Sequence, residues 1–531
     1  MRYPPAKLDD FLNLCQDCKK VQHETLLDII QHASDSVFGH KYGFENIHNY
    51  NDFAAAVPTQ SWSDIEPDVD AMANGATNQL FNGKPDYFIC TSGTSSAMKM
   101  MPESELGRLA KSLTFRLRFE AMRCFAPSVP AGKILPLVNN ATEGYTAAGI
   151  PFGSASGVTR ATAPKAIQDM VALPPEVMDL GYSDELDYVI LRFAVEADVR
   201  AVMGNNAGRI EQLILQAEAK ADKLIDDIEN GTISCSGNNS TITALRKRCR
   251  PNPGRAEELR AAKQDTGRFL PAAYWPNLEV IACWLAGSVG RYMDMVRHLL
   301  EPDVTIFDLG YGATEGKFNI PLKPDCAAGP LTTYAGFYEF RALGEKSFLQ
   351  AHELQHDKLY EMFVTNYSGL YRYAIGDIIR VSGFVGTTPQ IVFEYKAGEI
   401  LNICGEKVAA ASLLPAISIA TGSDLVHWCV IGDAENKRYI FYLEFKPQAE
   451  ADKHATDYAD KLENTLKEHT LIYPIFRKQN LINQLKVVIM KPGWQEALYT
   501  DLVNQGRSRT QIKLPLIYNK LPHPEYCLTE N

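Results

Sequence analysis

The chain has 531 residues, 46% of them apolar, and a formal net charge of −11. That length predicts roughly two to four domains, and the apolar share supports a large core and argues against disorder. The acidic balance argues against nucleic-acid binding, which needs a basic surface to meet phosphates, but leaves room for an anionic ligand in a local pocket.

In chain order, Met1-Arg2-Tyr3-Pro4-Pro5 lacks the apolar run of a signal peptide. Residues 7 to 34 read as helix, with Leu8, Phe11, Leu12 and Cys15 on one stripe that Cys18 extends. The Cys15-x-x-Cys18 pair has redox or zinc spacing, yet no second Cys or His pair lies close by, so both sulfurs read as core. The eleven cysteines follow no framework spacing, which fits free thiols in a reducing cytoplasm. Mixed turn and helix around Phe53, Val57, Pro58 and Ile65 leads to Tyr87-Phe88-Ile89-Cys90, a buried strand by its unbroken apolar run. Residues 104 to 124 are helical and amphipathic, and Gly144 to Gly157 is a loop of small residues. Residues 206 to 229 give the clearest helix, stopped at Asn230-Gly231. Residues 232 to 255 look like a surface excursion, with Arg246 to Arg250 a solvated face.

From Leu278 the pattern changes to short apolar runs. Val280 to Leu285 is a strand ending at Ala286-Gly287-Ser288, and Thr305 to Leu309 is another, ending in Gly310-Tyr311-Gly312-Ala313-Thr314-Glu315-Gly316. Two strands that each run into a small polar turn predict an α/β sheet whose C-terminal edges gather a site. Further strands fall at 337–340, 360–365, 378–381 and 391–393. The longest uncharged apolar stretch, Val280 to Val289, is too short to span a bilayer. A break at Lys396-Ala397-Gly398-Glu399 predicts a large α/β domain of sheets and helices over 1–396 and a smaller α+β domain over 397–531, in the order β-β-α-β-α.

Four stretches carry chemistry. Thr91-Ser92-Gly93-Thr94-Ser95-Ser96-Ala97-Met98-Lys99 can aim N–H and O–H groups at one anion and close it with an ammonium, although the same cluster also suits an ordinary turn and is no Walker A loop. Tyr311 to Glu315 places a ring beside a hydroxyl and a carboxylate, able to stack on a purine and to reach a divalent cation on its phosphates. Gly376-Asp377, between strand-like runs, can hold a carboxylate for two ribose hydroxyls, or be an Asx turn. Lys513 sits in a polar loop after the last helix and by itself reads as a surface lysine.

Together these stretches, in this order, resemble the adenylate-forming superfamily, and more closely the Gretchen Hagen 3 (auxin-responsive) family of acyl acid amido synthetases within it. The resemblance covers nearly the whole chain, including `DFAAAVPTQSWSDIEP`, `WPNLEVIACWLAGSVGRY`, `YRYAIGDIIRVSGFVGTTPQIVF` and `LVNQGRSRTQIKLP`. It implies an adenylate-forming type of N-terminal domain with a mobile C-terminal lid. It implies a ligase that uses ATP and Mg2+ to adenylate a small carboxylic acid and then passes the acyl group to the amine of an amino acid. Carried over, Ser92, Gly93, Thr94 and Ser95 cradle the phosphates, with Lys99 countering their charge. Tyr311 and Gly312 take the adenine side, Thr314 touches the α-phosphate, Glu315 binds magnesium and Asp377 holds the ribose. Lys513 stabilises charge developing in adenylation, and Lys396 stands near the hinge where the family usually has arginine, losing a bidentate fork. Ser96 replaces a usual glycine, the loop before Lys99 is one residue short, and Leu516 stands where the family has a late arginine. The acid pocket is placed between the 188–215 region and Gly287-Ser288, with Leu191, Val195, Ser288 and Tyr292 as candidate lining, though core packing is the simpler role for Leu191, Val195 and Tyr292. A cytoplasmic monomer acting on small molecules, with neither nucleic acid nor membrane as partner, is expected.

Competing readings are an acyl-CoA synthetase with a thiol acceptor, a non-enzymatic nucleotide binder, and a zinc metalloprotease. The last rests on His352-Glu353-Leu354-Gln355-His356, a literal H-E-x-x-H, which needs a helix to bring both imidazoles to one face. The strand pattern beginning at Leu359 leaves little room for that helix.

Overall fold

The structure, a computed structural model, describes the chain except for residues 91–98, 139–141, 156, 159–162, 164, 181–184, 206, 236–239, 287–291, 398–399, 402, 405–407, 448–454, 471–472, 505–513 and 529–531, and the side chains of 292, 294, 295, 400, 409 and 411. Two units emerge, one ending at Phe393 and the other running from Glu394 to Asn531.

In the N-terminal unit, β1 (Tyr87–Cys90) pairs antiparallel with β2 (Met100–Glu103), Cys90 opposite Met100. The chain between them carries the hydroxyl-rich stretch, of which Thr91 to Met98 lie outside the described residues. Strands β3 (Lys133–Leu137), β4 (Gly144–Tyr145) and β5 (Pro151–Gly153) follow. β5 and β4 extend the first sheet in the order β2-β1-β5-β4, so part of the predicted small-residue loop is a short hairpin. β3 joins β6 (Val199–Gly204), β7 (Val280–Cys283) and β8 (Thr305–Asp308) in an all-parallel sheet. Burial on both faces explains the continuous apolar runs of β7 and β8. A third sheet contains β9 (Gly329–Pro330), β10 (Gly336–Ala342), β11 (Leu349–Gln350), β12 (Leu359–Asn366), β13 (Tyr373–Val385) and β14 (Thr388–Lys396), in the order β11-β10-β12-β13-β14-β9.

The helix Glu105–Arg123 starts where the Ser104 hydroxyl accepts the Gly107 N–H at 3.0 Å. It buries Ala110, Leu113, Thr114, Leu117 and Arg118 along one face. The 206–229 helix is two helices, Ala207–Ala219 and Ala221–Asn230, parted at Lys220, whose φ of −110° leaves the helical range. Residues 232–255 are no loose excursion. Ser240–Arg246 is a helix whose Ile242 and Leu245 enter the core, with Cys249 just beyond it. Cys15 and Cys18 are fully buried, and burial pushes each thiol up to about 12, so neither is a ready thiolate.

The C-terminal unit carries a β15 (Ile400–Leu401) and β16 (Val408–Ala409) pair and a sheet ordered β19-β18-β17-β20. There β17 (Leu425–Asp433) and β18 (Arg438–Phe445) form a hairpin. β19 (Lys486–Met490) runs parallel to β18, and β20 (Ile517–Tyr518) parallel to β17. The helices Ala410–Thr421 and Ala455–His469 share a core with Trp428, Phe441 and Leu443. Both Glu444 carboxylate oxygens accept backbone N–H groups, from Gly493 at 2.7 Å and Gln495 at 2.6 Å, and so tether the start of the helix Trp494–Asn504. No described helix is long and apolar enough to cross a membrane.

Candidate active site

The site is built where β8 leaves the parallel sheet. Asp308, the last residue of β8, is buried, and its Oδ2 accepts the Leu285 N–H at 2.6 Å while Oδ1 accepts the Gly310 N–H at 2.5 Å. One carboxylate thus ties together the exits of two neighbouring strands, and burial pushes its pKa up to about 6. Gly310 is held at φ +81°, and a Cβ there would meet Arg118 Nε at 2.3 Å, so only glycine fits. Arg118 lies under the turn and donates to the Tyr311 carbonyl at 2.7 Å and the Asn319 carbonyl at 2.9 and 2.7 Å.

Tyr311 to Phe318 then form a tight hairpin. Gly312 bridges Lys317, the Ala313 N–H donates to the Gly316 carbonyl at 2.9 Å, and the Phe318 N–H to the Tyr311 carbonyl at 2.9 Å. The Tyr311 ring stacks on Phe393 with centroids 5.4 Å apart, and its hydroxyl donates to Asp377 Oδ2 at 2.6 Å. Burial first, then the Asp377 charge, holds that phenol far above its usual range.

Asp377 reaches this position through a bulge. β12 and β13 pair Phe363 with Ala374 and Glu361 with Ile378, leaving Ile375, Gly376 and Asp377 bulged out of the ladder. The predicted turn between two strands is therefore a kink inside one long strand, with Gly376 at φ +71°.

The tip of the hairpin is held by side chains from elsewhere. Lys111 Nζ donates to the Thr314 carbonyl at 2.8 Å and also pairs with Glu103, which accepts the Ser368 hydroxyl at 2.7 Å. Asn366 Nδ2 donates to the Glu315 carbonyl at 2.8 Å, and the Thr314 hydroxyl to Glu315 Oε2 at 2.6 Å. Glu315 has carboxylate capacity left for a hydrated cation. Among the described residues there is no cluster of three acidic, His or Cys side chains that would hold a metal alone. That donor set fits magnesium shared with phosphate oxygens, which needs one or two carboxylates.

Of the residues singled out in the sequence, Tyr311, Gly312, Thr314, Glu315 and Asp377 come together here. Lys99 lays its ammonium over the Trp62 ring, 5.5 Å from the centroid. Lys396 ends β14, exposed. Ser92, Gly93, Thr94, Ser95, Ser288 and Lys513 lie outside the described residues, as does the side chain of Tyr292, which opens the helix Tyr292–Arg297. Leu191 and Val195 have no exposed surface and sit in the core of the N-terminal unit. A cavity of about 120 Å³ opens away from them, between β1, the helix Glu105–Arg123 and Ala155 and Ala163, with an apolar wall of Ile89, Leu113, Phe115, Phe119, Val158 and Ile167. Sequence reasoning missed Asp308, Lys111, Arg118 and Lys317. A lone acid closing an apolar strand, and Lys and Arg seven apart on one helix face, were the available signals.

The H-E-x-x-H stretch is no zinc site. Ala351–Glu353 is a single 3-10 turn and Leu354 is extended, so His352 and His356 share no helical face. Glu353 caps that turn by accepting the Gln350 N–H at 2.7 Å.

Residues 7–305 match the GH3 family N-terminal domain, 329–396 its central domain and 409–522 its C-terminal domain. The chain belongs to the GH3 family. Among GH3 relatives, it is 23% identical to the indole-3-acetic acid-amido synthetase GH3.3 of Arabidopsis thaliana, covering 93% of this chain and 88% of that one. It is 24% identical to the jasmonoyl-L-amino acid synthetase JAR6 of Nicotiana attenuata (96% and 92% covered) and to the 4-substituted benzoates-glutamate ligase GH3.12 of Arabidopsis thaliana (95% and 93%). The fold matches the GH3.15 acyl acid amido synthetase with a TM-score of 0.84 at 19% identity, covering 98% of this chain and 96% of that one. A 2-hydroxyisobutyryl-CoA ligase in its postadenylation state matches at 0.56 with 12% identity, over 94% and 89% of the two chains.

Proposed function

We infer that this GH3 chain is an ATP-dependent acyl acid amido synthetase, which adenylates a small carboxylic acid and transfers the acyl group to the amine of an amino acid. The observation that carries this reading is the junction of the two motifs, Tyr311 hydroxyl on Asp377, in a chain with all three GH3 domains in order. The Tyr311 ring, backed by Phe393, is the platform for adenine, with Gly312 beside it, and Asp377 accepts the ribose hydroxyls. Thr314 meets the α-phosphate. Ser92, Gly93, Thr94 and Ser95 hold the remaining phosphates, with Lys99 leaving Trp62 to counter their charge. Magnesium, held by Glu315, neutralises phosphate charge when bound. Lys513 and the hinge residue Lys396 belong to a C-terminal lid that turns between half-reactions. The enzyme works as a cytoplasmic monomer on small molecules, apart from nucleic acid and membrane.

A thiol acceptor is the second reading, supported by the weaker likeness to the CoA ligase fold. A panel of carboxylates scored by pyrophosphate release, followed by amino acids and coenzyme A scored by AMP release, separates the two. Acid-dependent pyrophosphate release with amide formed only from amino acids is expected. Thioester formation from coenzyme A with no amide would establish the second reading instead.

A further inference from the structure

The apolar cavity against the helix Glu105–Arg123 is also lined by cations. Arg108, Lys111, Arg116 and Lys317 all face it, beside one acid, Glu103. Three of these cations are engaged. Arg108 pairs with Asp86 at 2.7 Å, Lys111 serves Glu103 and the Thr314 carbonyl, and Arg116 donates to the Pro5 carbonyl at 2.7 Å. Glu103 is taken up by Lys111 and Ser368. The Lys317 backbone is engaged, its carbonyl accepting the Thr332 hydroxyl at 2.6 Å, but its ammonium has no hydrogen-bond or ion-pair partner among the described residues. An unpartnered ammonium beside an apolar wall is costly unless an anion completes it.

Its position says which anion. Lys317 follows Glu315 by two residues, and it lines both this cavity and the smaller one under Glu315, so it stands where the two meet. Gly312 makes that placement possible, because a Cβ there would lie 2.8 Å from Lys317 Cδ and 3.3 Å from Nζ. The side chain therefore lies across the hairpin, with apolar cavity on one side and the phosphate-binding turn on the other.

We propose that Lys317 binds the carboxylate of an apolar acyl acid, holding it beside the Thr314–Glu315 turn with the apolar body against Phe115 and Phe119. This rests on the ligase reading above. In the step it serves, a carboxylate oxygen forms a bond to the α-phosphorus of ATP as the bond to pyrophosphate breaks. Lys317 offsets the repulsion between the two anions before that attack.

The test uses full-length wild type, Lys317→Met and Lys317→Arg, with benzoate, phenylacetate and indole-3-acetate as acids and their primary amides as neutral competitors. For the acid best used by wild type, Lys317→Met raises KM at least tenfold and leaves KM for ATP within twofold, and Lys317→Arg recovers part of the loss. The primary amide competes equally well against both enzymes. Lys317→Met melts no lower than wild type, since it removes an unpaired cation; a merely structural lysine would show the reverse. Gly312→Ala, which displaces the lysine, raises the same KM. Unchanged KM for the acid in an active Lys317→Met enzyme overturns this proposal alone. Absence of pyrophosphate release by wild type across the wider carboxylate panel overturns the ligase reading, and this proposal with it.

Discussion

The Tyr311 hydroxyl and the Asp377 carboxylate meet at 2.6 Å in the interior, where water cannot easily replace either partner. Tyr311→Phe keeps the ring for stacking but withdraws the donor, so folding stability falls by about 1–3 kcal/mol, the cost of leaving one buried polar group short. ATP affinity falls far less than in Asp377→Ala, which removes the proposed ribose acceptor and weakens binding tenfold or more; titration calorimetry on the two variants ranks them. Asp308 gives a pH-dependent counterpart. Burial pushes its carboxyl up to about 6, so the folded state holds that proton more tightly than the unfolded chain does. Its contribution to stability is complete below the unfolded value of about 3.9 and is lost as pH rises through 6, a change of about 3 kcal/mol. Denaturation of wild type and Asp308→Asn at several values between pH 4 and 7 checks this: the wild type loses ground against the variant as pH rises, and parallel curves would refute it.

At the scale of an element, the bulge in β13 does what its sequence disguises. A Cβ on Gly376 meets nothing within 4 Å, so Gly376→Ala carries only the left-handed backbone strain, about 1–2 kcal/mol. The same substitution rotates the bulge and moves Asp377, so ATP affinity drops beyond what the stability loss explains; calorimetry and thermal melts on one preparation separate the two effects. Gly-Asp between apolar runs has the composition of a turn, and only the pairing with β12 shows a strand that continues through it. The β7 and β8 runs were legible because strands buried on both faces leave an unbroken apolar signal. β2 was not, since Met-Met-Pro-Glu has neither alternation nor β-branched residues. Tyr311, Glu315 and Asp377 could be picked out because their chemistry clusters along the chain. Lys111, Arg118 and Asp308 act by reaching carbonyls and N–H groups far away in sequence, so nothing local announces them.

Across the whole molecule, the groups that meet around Tyr311 all belong to the N-terminal unit, whereas Lys513 falls in the sequence of the C-terminal one. The C-terminal unit has its own core around Trp428 and Leu443. Lys513→Ala tests the part proposed for the C-terminal unit in the reaction. If Lys513 acts only on charge developing at the α-phosphate, the variant binds ATP with the affinity of wild type and melts at the same temperature. It releases pyrophosphate at least tenfold more slowly, about 1.4 kcal/mol of barrier. Supplied with preformed acyl-adenylate and amino acid, it forms amide at the wild-type rate, because no α-phosphate attack remains to be assisted. Rapid-quench measurement of each half-reaction reads these rates separately. An unchanged rate of pyrophosphate release takes Lys513 out of the mechanism, and an equal slowing of both halves assigns it to domain movement rather than to charge.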